Sequence, residues 1–158
     1  MELWVIRHAI AAPALPGQSD DERPLTAEGR DAFLPLAEAL KALQVRPSLV
    51  LSSPLVRAHQ TAELLAPALG CPLHTSELLA EPPSAELLAG LGDRDVALVG
   101  HEPWVSQLVA WLVLGRKELG ERFPFERGAV AHLHGRPSPG GMTLRAFLAP
   151  EHLGTKRL

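Results

Sequence analysis

Cysteine is nearly absent: Cys71 is the only one in 158 residues. An intramolecular disulfide is excluded, and with it the secreted scaffolds held together by several. Long hydrophobic runs are also missing. No apolar stretch approaches the roughly 20 residues a membrane-spanning helix needs, so no membrane partner is expected. The opening "MELWVIRH" carries no basic leader ahead of an apolar core, so no signal peptide is expected. These absences lead to an expected cytoplasmic location. Strong charge of either sign is lacking too. A formal net charge of −3 gives no hint of the basic face that nucleic acid requires, so no nucleic-acid partner is expected. Asn and Tyr are absent and Ile occurs only twice, whereas there are 15 Pro. That bias suits a thermophile and suits a GC-rich genome equally.

What is present is enough to build a core. Hydrophobic residues make up 46% of the chain, and its length fits one domain spanning residues 1–158. Leu3 to Ile6 read as a buried strand, followed by a loop, "AAPALPGQSDDERP", rich in Pro and acids. Thr26 is placed to cap a helix whose apolar positions are Phe33, Leu36, Leu40 and Leu43, with Pro35 expected to kink or divide it. "SLVLSS" is a second strand. Ser53-Pro54 reads as an N-cap followed by a first-turn proline, opening a helix that runs to Gly70. Leu73 to Thr75 is extended, and "SELLAEPPSAELLAGL" mixes loop and short helix. "DVALVG" is a third buried strand, and "PWVSQLVAWLVLG" is an apolar helix stopped by Gly115. "GAVAHLHG" and "MTLRAFLAP" form two strands joined by "RPSPGG", a connection that suits a hairpin. The expected fold is therefore three-layer α/β/α. Its central sheet is mostly parallel, with an antiparallel strand from the C-terminal hairpin.

Three apolar strands run into conspicuous polar groups. The first ends at Arg7-His8, the second leads through Ser52-Ser53-Pro54 to Arg57, and the third ends at Gly100-His101. Ligands of open α/β sheets bind beyond the carboxyl ends of the strands, so these four side chains can meet there. Two guanidinium forks and nearby helix N-termini suit a phosphate. A divalent cation fits badly beside two arginines, so no metal is expected. The same cations disfavour imidazolium and should keep at least one histidine neutral, and a neutral imidazole is a competent nucleophile.

In this order, "RHA", "SSPLVRAHQTA" and "VGHEP" resemble the histidine phosphatase superfamily, also called phosphoglycerate mutase-like. The short chain, "DDERPLTAEGR" and the closing hairpin resemble its small SixA-type phosphohistidine phosphatase branch. The resemblance implies that His8 attacks phosphorus and becomes a phosphohistidine, and that Arg7, Arg57 and His101 hold the phosphoryl oxygens. Water then regenerates His8, and no cofactor is implied. Larger relatives supply a proton-donating carboxylate from the segment before the third strand. Here that segment offers Glu77 and Glu81, of which Glu81 is preferred. The implied partner is a phosphorylated protein, a phosphohistidine carrier. The competing readings are a small phosphate ester hydrolysed on the same site, and a phosphate-binding module without catalysis.

Other polar residues have simpler readings. Asp20 and Arg23 tie down the first loop, His59 belongs to a helix surface, and His132 and His134 share one face of a strand. Arg116 and Lys117 are placed to satisfy the helix end at Gly115.

Overall fold

The computed structural model describes residues 1–153. Six strands form one sheet: β1 (Glu2–Arg7), β2 (Leu49–Ser52), β3 (Leu73–Thr75), β4 (Val96–Gly100), β5 (Val130–Gly135) and β6 (Met142–Leu148). Their order is β3-β2-β4-β1-β5-β6. β3, β2, β4 and β1 are mutually parallel, while β5 runs antiparallel to both β1 and β6. The expected α/β sheet, with an antiparallel strand contributed by the C-terminal hairpin, is what forms.

Alternation along the strands explains the layers. Trp4 and Ile6 of β1 face one side, with Val50, Ala97 and Val99. There they meet Phe33, Leu36 and Leu40 of α1 (Ala27–Ala42) and Ala58, Ala62 and Leu65 of α2 (Val56–Leu69). Leu3, Val5 and Leu98 face the other side, against Leu87 and Leu91 of α3 (Ala85–Leu91) and Trp104, Leu108 and Leu112 of α4 (Trp104–Leu114). Period-two strands between period-3.6 helices need both faces covered, and two buried clusters result.

Thr26 caps α1 through a bond from Gly29 N at 2.9 Å. Thr26 N also donates to Ile10 O, so the chain leaving β1 is fixed against the start of α1. Gly29 permits this contact, because a Cβ there would lie 2.3 Å from Ile10 O.

Three local expectations change. Pro35 does not divide α1, which is one helix from Ala27 to Ala42. The proline is exposed, so its ring meets solvent and the helix forfeits only one backbone bond. Ser53-Pro54 forms a turn ahead of α2 rather than its first residues. Ser53 N is held by Val99 O of the sheet and Ser53 Oγ accepts from Leu55 N, which delays the helix to Val56. Gly115 ends α4 in the left-handed region with backbone bonds alone. Arg116 pairs instead with Glu118, and Lys117 lies over the Trp111 ring and donates to Pro83 O.

Candidate active site

The C-terminal ends of β1, β2 and β4 meet as the strand pattern implies. Arg7 pairs in register with Gly100, and His8 N donates to Gly100 O at 3.0 Å. On the other side Gly128 N reaches the carbonyls of Arg7 and His8, both at 3.1 Å. Ala9 N donates to Thr61 Oγ1, and the Thr61 hydroxyl donates to Arg57 O at 2.7 Å. The end of β1 is thus clamped to β4, to the loop before β5 and to α2, and the backbone around His8 has little freedom.

His8 is 6% exposed, and its hydrogen bonds select one tautomer. Nδ1 lies 2.6 Å from Ala9 O, an acceptor that can only take a proton. Arg57 Nε, which can only donate, lies 3.2 Å from His8 Nε2. The proton therefore sits on Nδ1, and the Nε2 lone pair points at Arg57. Burial pushes the imidazole down from 6.5 to about 3, and the charges of Arg57, Arg7 and His101 push the same way, against the Ala9 carbonyl. His8 is consequently neutral with a free Nε2 pair at any ordinary pH.

This depression has a consequence for stability. An unfolded chain takes up a proton on this histidine near pH 6.5, whereas the folded one resists until about pH 3. In that window the unfolded state binds more protons, so stability is complete above 6.5 and falls as pH drops towards 3. The urea midpoint of the wild type should therefore fall more steeply between neutral and mildly acid pH than that of His8→Ala. A constant difference between the two across the window would contradict the assigned burial of a neutral imidazole.

Arg57 is also buried, at 6% exposed. One of its amino nitrogens donates to Asp20 O at 2.8 Å and the other to Asp20 Oδ2 at 3.0 Å. Three of the five N–H groups of the guanidinium are thus used, leaving two for a ligand. Asp20 is held in turn by Arg23 at 2.9 Å, and Arg23 Nε also donates to Ala12 O. The Arg23 hydrogen bond, followed by the Arg57 charge, holds the Asp20 carboxyl below the usual carboxylate range. The sequence reading of Asp20 and Arg23 as loop ties is correct but incomplete, because Asp20 also aims Arg57.

Arg7 is half-buried and donates to Phe125 O at 2.7 Å, while its Nε is buried without a partner. His101 places Nδ1 3.2 Å from Glu102 O, and its Nε2 is likewise buried without a partner. Unmet buried polar groups are rare in native proteins, and two of them here belong to side chains facing His8 electrostatically. The four residues singled out at the strand ends are therefore brought together as one cationic floor.

Beside them lies an open cleft of about 530 Å3, bounded by Arg57, His101, Leu55 and Pro103 but not by Arg7 or His8, and walled by the carboxylates of Asp20, Asp21, Glu77, Glu81 and Glu102. Glu77 and Glu81 both reach this cleft, but both are exposed, and among the described residues no hydrogen bond or ion pair holds either side chain. Glu102 escaped the sequence reading. It directly follows His101, it is half-buried, and Ser106 Oγ lies 2.6 Å from its Oε2. Its position beside the second histidine was the available signal.

The remaining histidines lie elsewhere. His59 sits near Thr75 and Glu63 on the outer side of α2. His132 and His134 share the carboxylate of Glu2, and His132 stacks on Trp4 at 5.2 Å. They border a separate apolar hollow of about 480 Å3 that contains none of the four strand-end residues. No cluster suited to a metal ion occurs among the described residues. Nor, among them, is any helix long and apolar enough to cross a membrane.

Comparison with known proteins bears on the family and the fold. The family model of the histidine phosphatase superfamily (branch 1) matches residues 3–83. Phosphohistidine phosphatase SixA of Escherichia coli K12 is 34% identical over 124 residues, covering 73% of this chain and 76% of the relative. Among solved structures, that of the protein histidine phosphatase SixA complexed with tungstate superposes with a TM-score of 0.81 at 32% identity, covering 97% of this chain and 99% of the other. The α-ribazole phosphatase from Shigella flexneri shares the fold, with a TM-score of 0.76 at 22% identity over 95% of this chain and 97% of that one. With the matched segment containing Arg7, His8 and Arg57, the chain belongs to the histidine phosphatase superfamily, branch 1, and is a phosphatase.

Proposed function

We propose that the protein removes phosphate from phosphohistidine in a partner protein, through a phosphorylated His8. The observation that carries this reading is the state of His8: buried and neutral, with its Nε2 lone pair facing a guanidinium. In this reading a phosphoryl group displaces the Arg57–His8 contact. Nε2 attacks phosphorus in line, while Arg57, Arg7 and His101 donate to the equatorial oxygens. Water then cleaves the P–N bond to His8. Positioning and fixed positive charge supply most of the rate, as phosphoryl transfer requires. Glu81, the carboxylate that the family resemblance prefers as proton donor, lines the cleft but is exposed and has no side-chain contact among the described residues to fix it.

Two observations support a protein substrate. The similar solved protein is named a protein histidine phosphatase, and it was obtained with tungstate, a tetrahedral oxyanion like phosphate. The cleft of this chain is open, and its walls are acidic, which suits a side chain projecting from a partner better than a free polyanion. The test is a comparison of kcat/KM for a phosphohistidine protein against sugar phosphates, nucleotides and phosphoglycerates. The phosphoprotein should exceed every small ester by at least about tenfold, a difference of about 1.4 kcal/mol. A small ester that outperforms it would overturn the substrate assignment.

The two guanidiniums occupy the place where many phosphoryl-transfer sites use Mg²⁺. Turnover should therefore survive exhaustive treatment with a chelator. Activity lost on chelation and restored by an added divalent ion would refute the mechanism.

A further inference from the structure

Resting on the proposed phosphatase reaction, we infer that Glu102 delivers the proton to the leaving group and receives one from the attacking water. Five carboxylates wall the cleft, and their surroundings differ. Asp20 is committed as an ionised partner of Arg57 and Arg23. Asp21, Glu77 and Glu81 are exposed and unheld, so nothing fixes their distance from a phosphoryl group. Glu102 alone combines partial burial, a fixing contact and closeness to the cationic floor. It adjoins His101 in the chain, Ser106 holds its Oε2 at 2.6 Å, and it exerts the largest charge effect on Arg7.

Its hydrogen bonding also suits an acid that changes state. The Ser106 hydroxyl lies 2.6 Å from Glu102 Oε2 and 3.0 Å from Pro103 O. A hydroxyl has one proton, so it can serve only one of these acceptors at a time. With Glu102 ionised, Ser106 donates to the carboxylate. With Glu102 protonated, the carboxyl donates to Ser106 Oγ and Ser106 turns its proton to Pro103 O. Both states are satisfied without moving the backbone. The first chemical step draws on the second arrangement and the second step on the first.

The proton then has a defined path. In the first step the Nε2 pair of His8 forms the P–N bond, and the bond from phosphorus to the leaving nitrogen or oxygen breaks. The leaving atom keeps that electron pair and takes the proton of Glu102. In the second step water oxygen bonds to phosphorus, the P–N bond breaks and returns its pair to His8, and one water proton goes to the Glu102 carboxylate.

The test uses a series of phosphate esters from nitrophenyl through phenyl to alkyl, with wild type, Glu102→Gln and Glu81→Gln. Nitrophenolate leaves without help, whereas an alkoxide does not. Glu102→Gln should therefore lower kcat/KM about 100-fold for phenyl and alkyl phosphates, the scale of one general acid, and barely change it for the nitrophenyl ester. Inorganic phosphate, measured as a competitive inhibitor, should bind the Gln variant at least as tightly as wild type. That readout separates a lost proton from a damaged site. A uniform loss along the series, no loss at all, weakened phosphate binding, or the same graded loss in Glu81→Gln instead would each overturn the assignment. A wild type that hydrolyses no phosphate would overturn the proposed function itself, whereas an active wild type with an ungraded Glu102→Gln overturns this inference alone.

Discussion

His8→Ala is expected to abolish turnover, by about 10⁴-fold or more, the scale on which removing a covalent nucleophile acts. The fold should survive. The substitution removes the contacts to Ala9 O and Arg57 Nε, each worth about 1 kcal/mol net, and leaves the backbone clamps of residue 8 to Gly100 and Gly128 intact. Arg57 keeps both bonds to Asp20, so the guanidinium stays in place. The variant should therefore still bind inorganic phosphate while failing to turn over. Complementary evidence comes from wild type quenched rapidly without acid, since a P–N bond is acid-labile. Labelled substrate should leave its phosphate on His8. Label on His101 would exchange the roles of the two histidines, and an unlabelled protein together with an active His8→Ala variant would remove the covalent step.

The parts of this site that could be read from the sequence are those that physical chemistry writes locally. Leu3 to Ile6 and Val96 to Val99 are short apolar runs, and a buried strand is the economical solution for each. Arg7, His8 and His101 stand at their ends, so the rule that ligands gather there located three of the four floor residues. Arg57 followed from the turn after β2, even though the helix begins later than Ser53-Pro54 suggested. What stayed hidden depends on contacts between distant segments. Asp20 reaches Arg57 across 37 residues, and nothing in "SDDERP" distinguishes it from Asp21 or Glu22. Thr61 looks like an ordinary helical threonine until its hydroxyl is seen joining Ala9 to Arg57. Glu81 and Glu102 carry the same functional group. Only burial and the Ser106 contact separate them, and neither is written in the residue type. Pro35 shows the converse: of its two expected effects, division of the helix does not occur, because the buried stripe of Phe33, Leu36 and Leu40 holds the helix to the sheet on both sides of it.

Arg57→Lys is the second substitution expected to act strongly. A lysine keeps the positive charge, so any loss measures geometry rather than net charge. The guanidinium does three things at once. Its Nε faces the His8 pair, two further N–H groups grip Asp20, and two remain for phosphoryl oxygens. An ammonium is a point donor on a flexible stem and cannot hold Asp20 and a phosphate oxygen in one plane. Asp20 itself is little harmed, because its side chain is 64% exposed and Arg23 still pairs with it, so the fold should remain sound. The expected loss is about 2–4 kcal/mol of transition-state stabilisation, or roughly 30- to 1000-fold in kcat/KM, by analogy with removing one donor from an oxyanion site. The split between the constants is informative. Ground-state phosphate needs charge, which lysine supplies, so KM should change little. The trigonal phosphoryl group of the transition state needs donors in its equatorial plane, so kcat should carry the loss. Steady-state kinetics on a phosphohistidine protein, with inorganic phosphate as a competitive inhibitor, measures both. A near-wild-type kcat would place Arg57 outside the reacting geometry, and a loss confined to KM would reduce it to a substrate anchor.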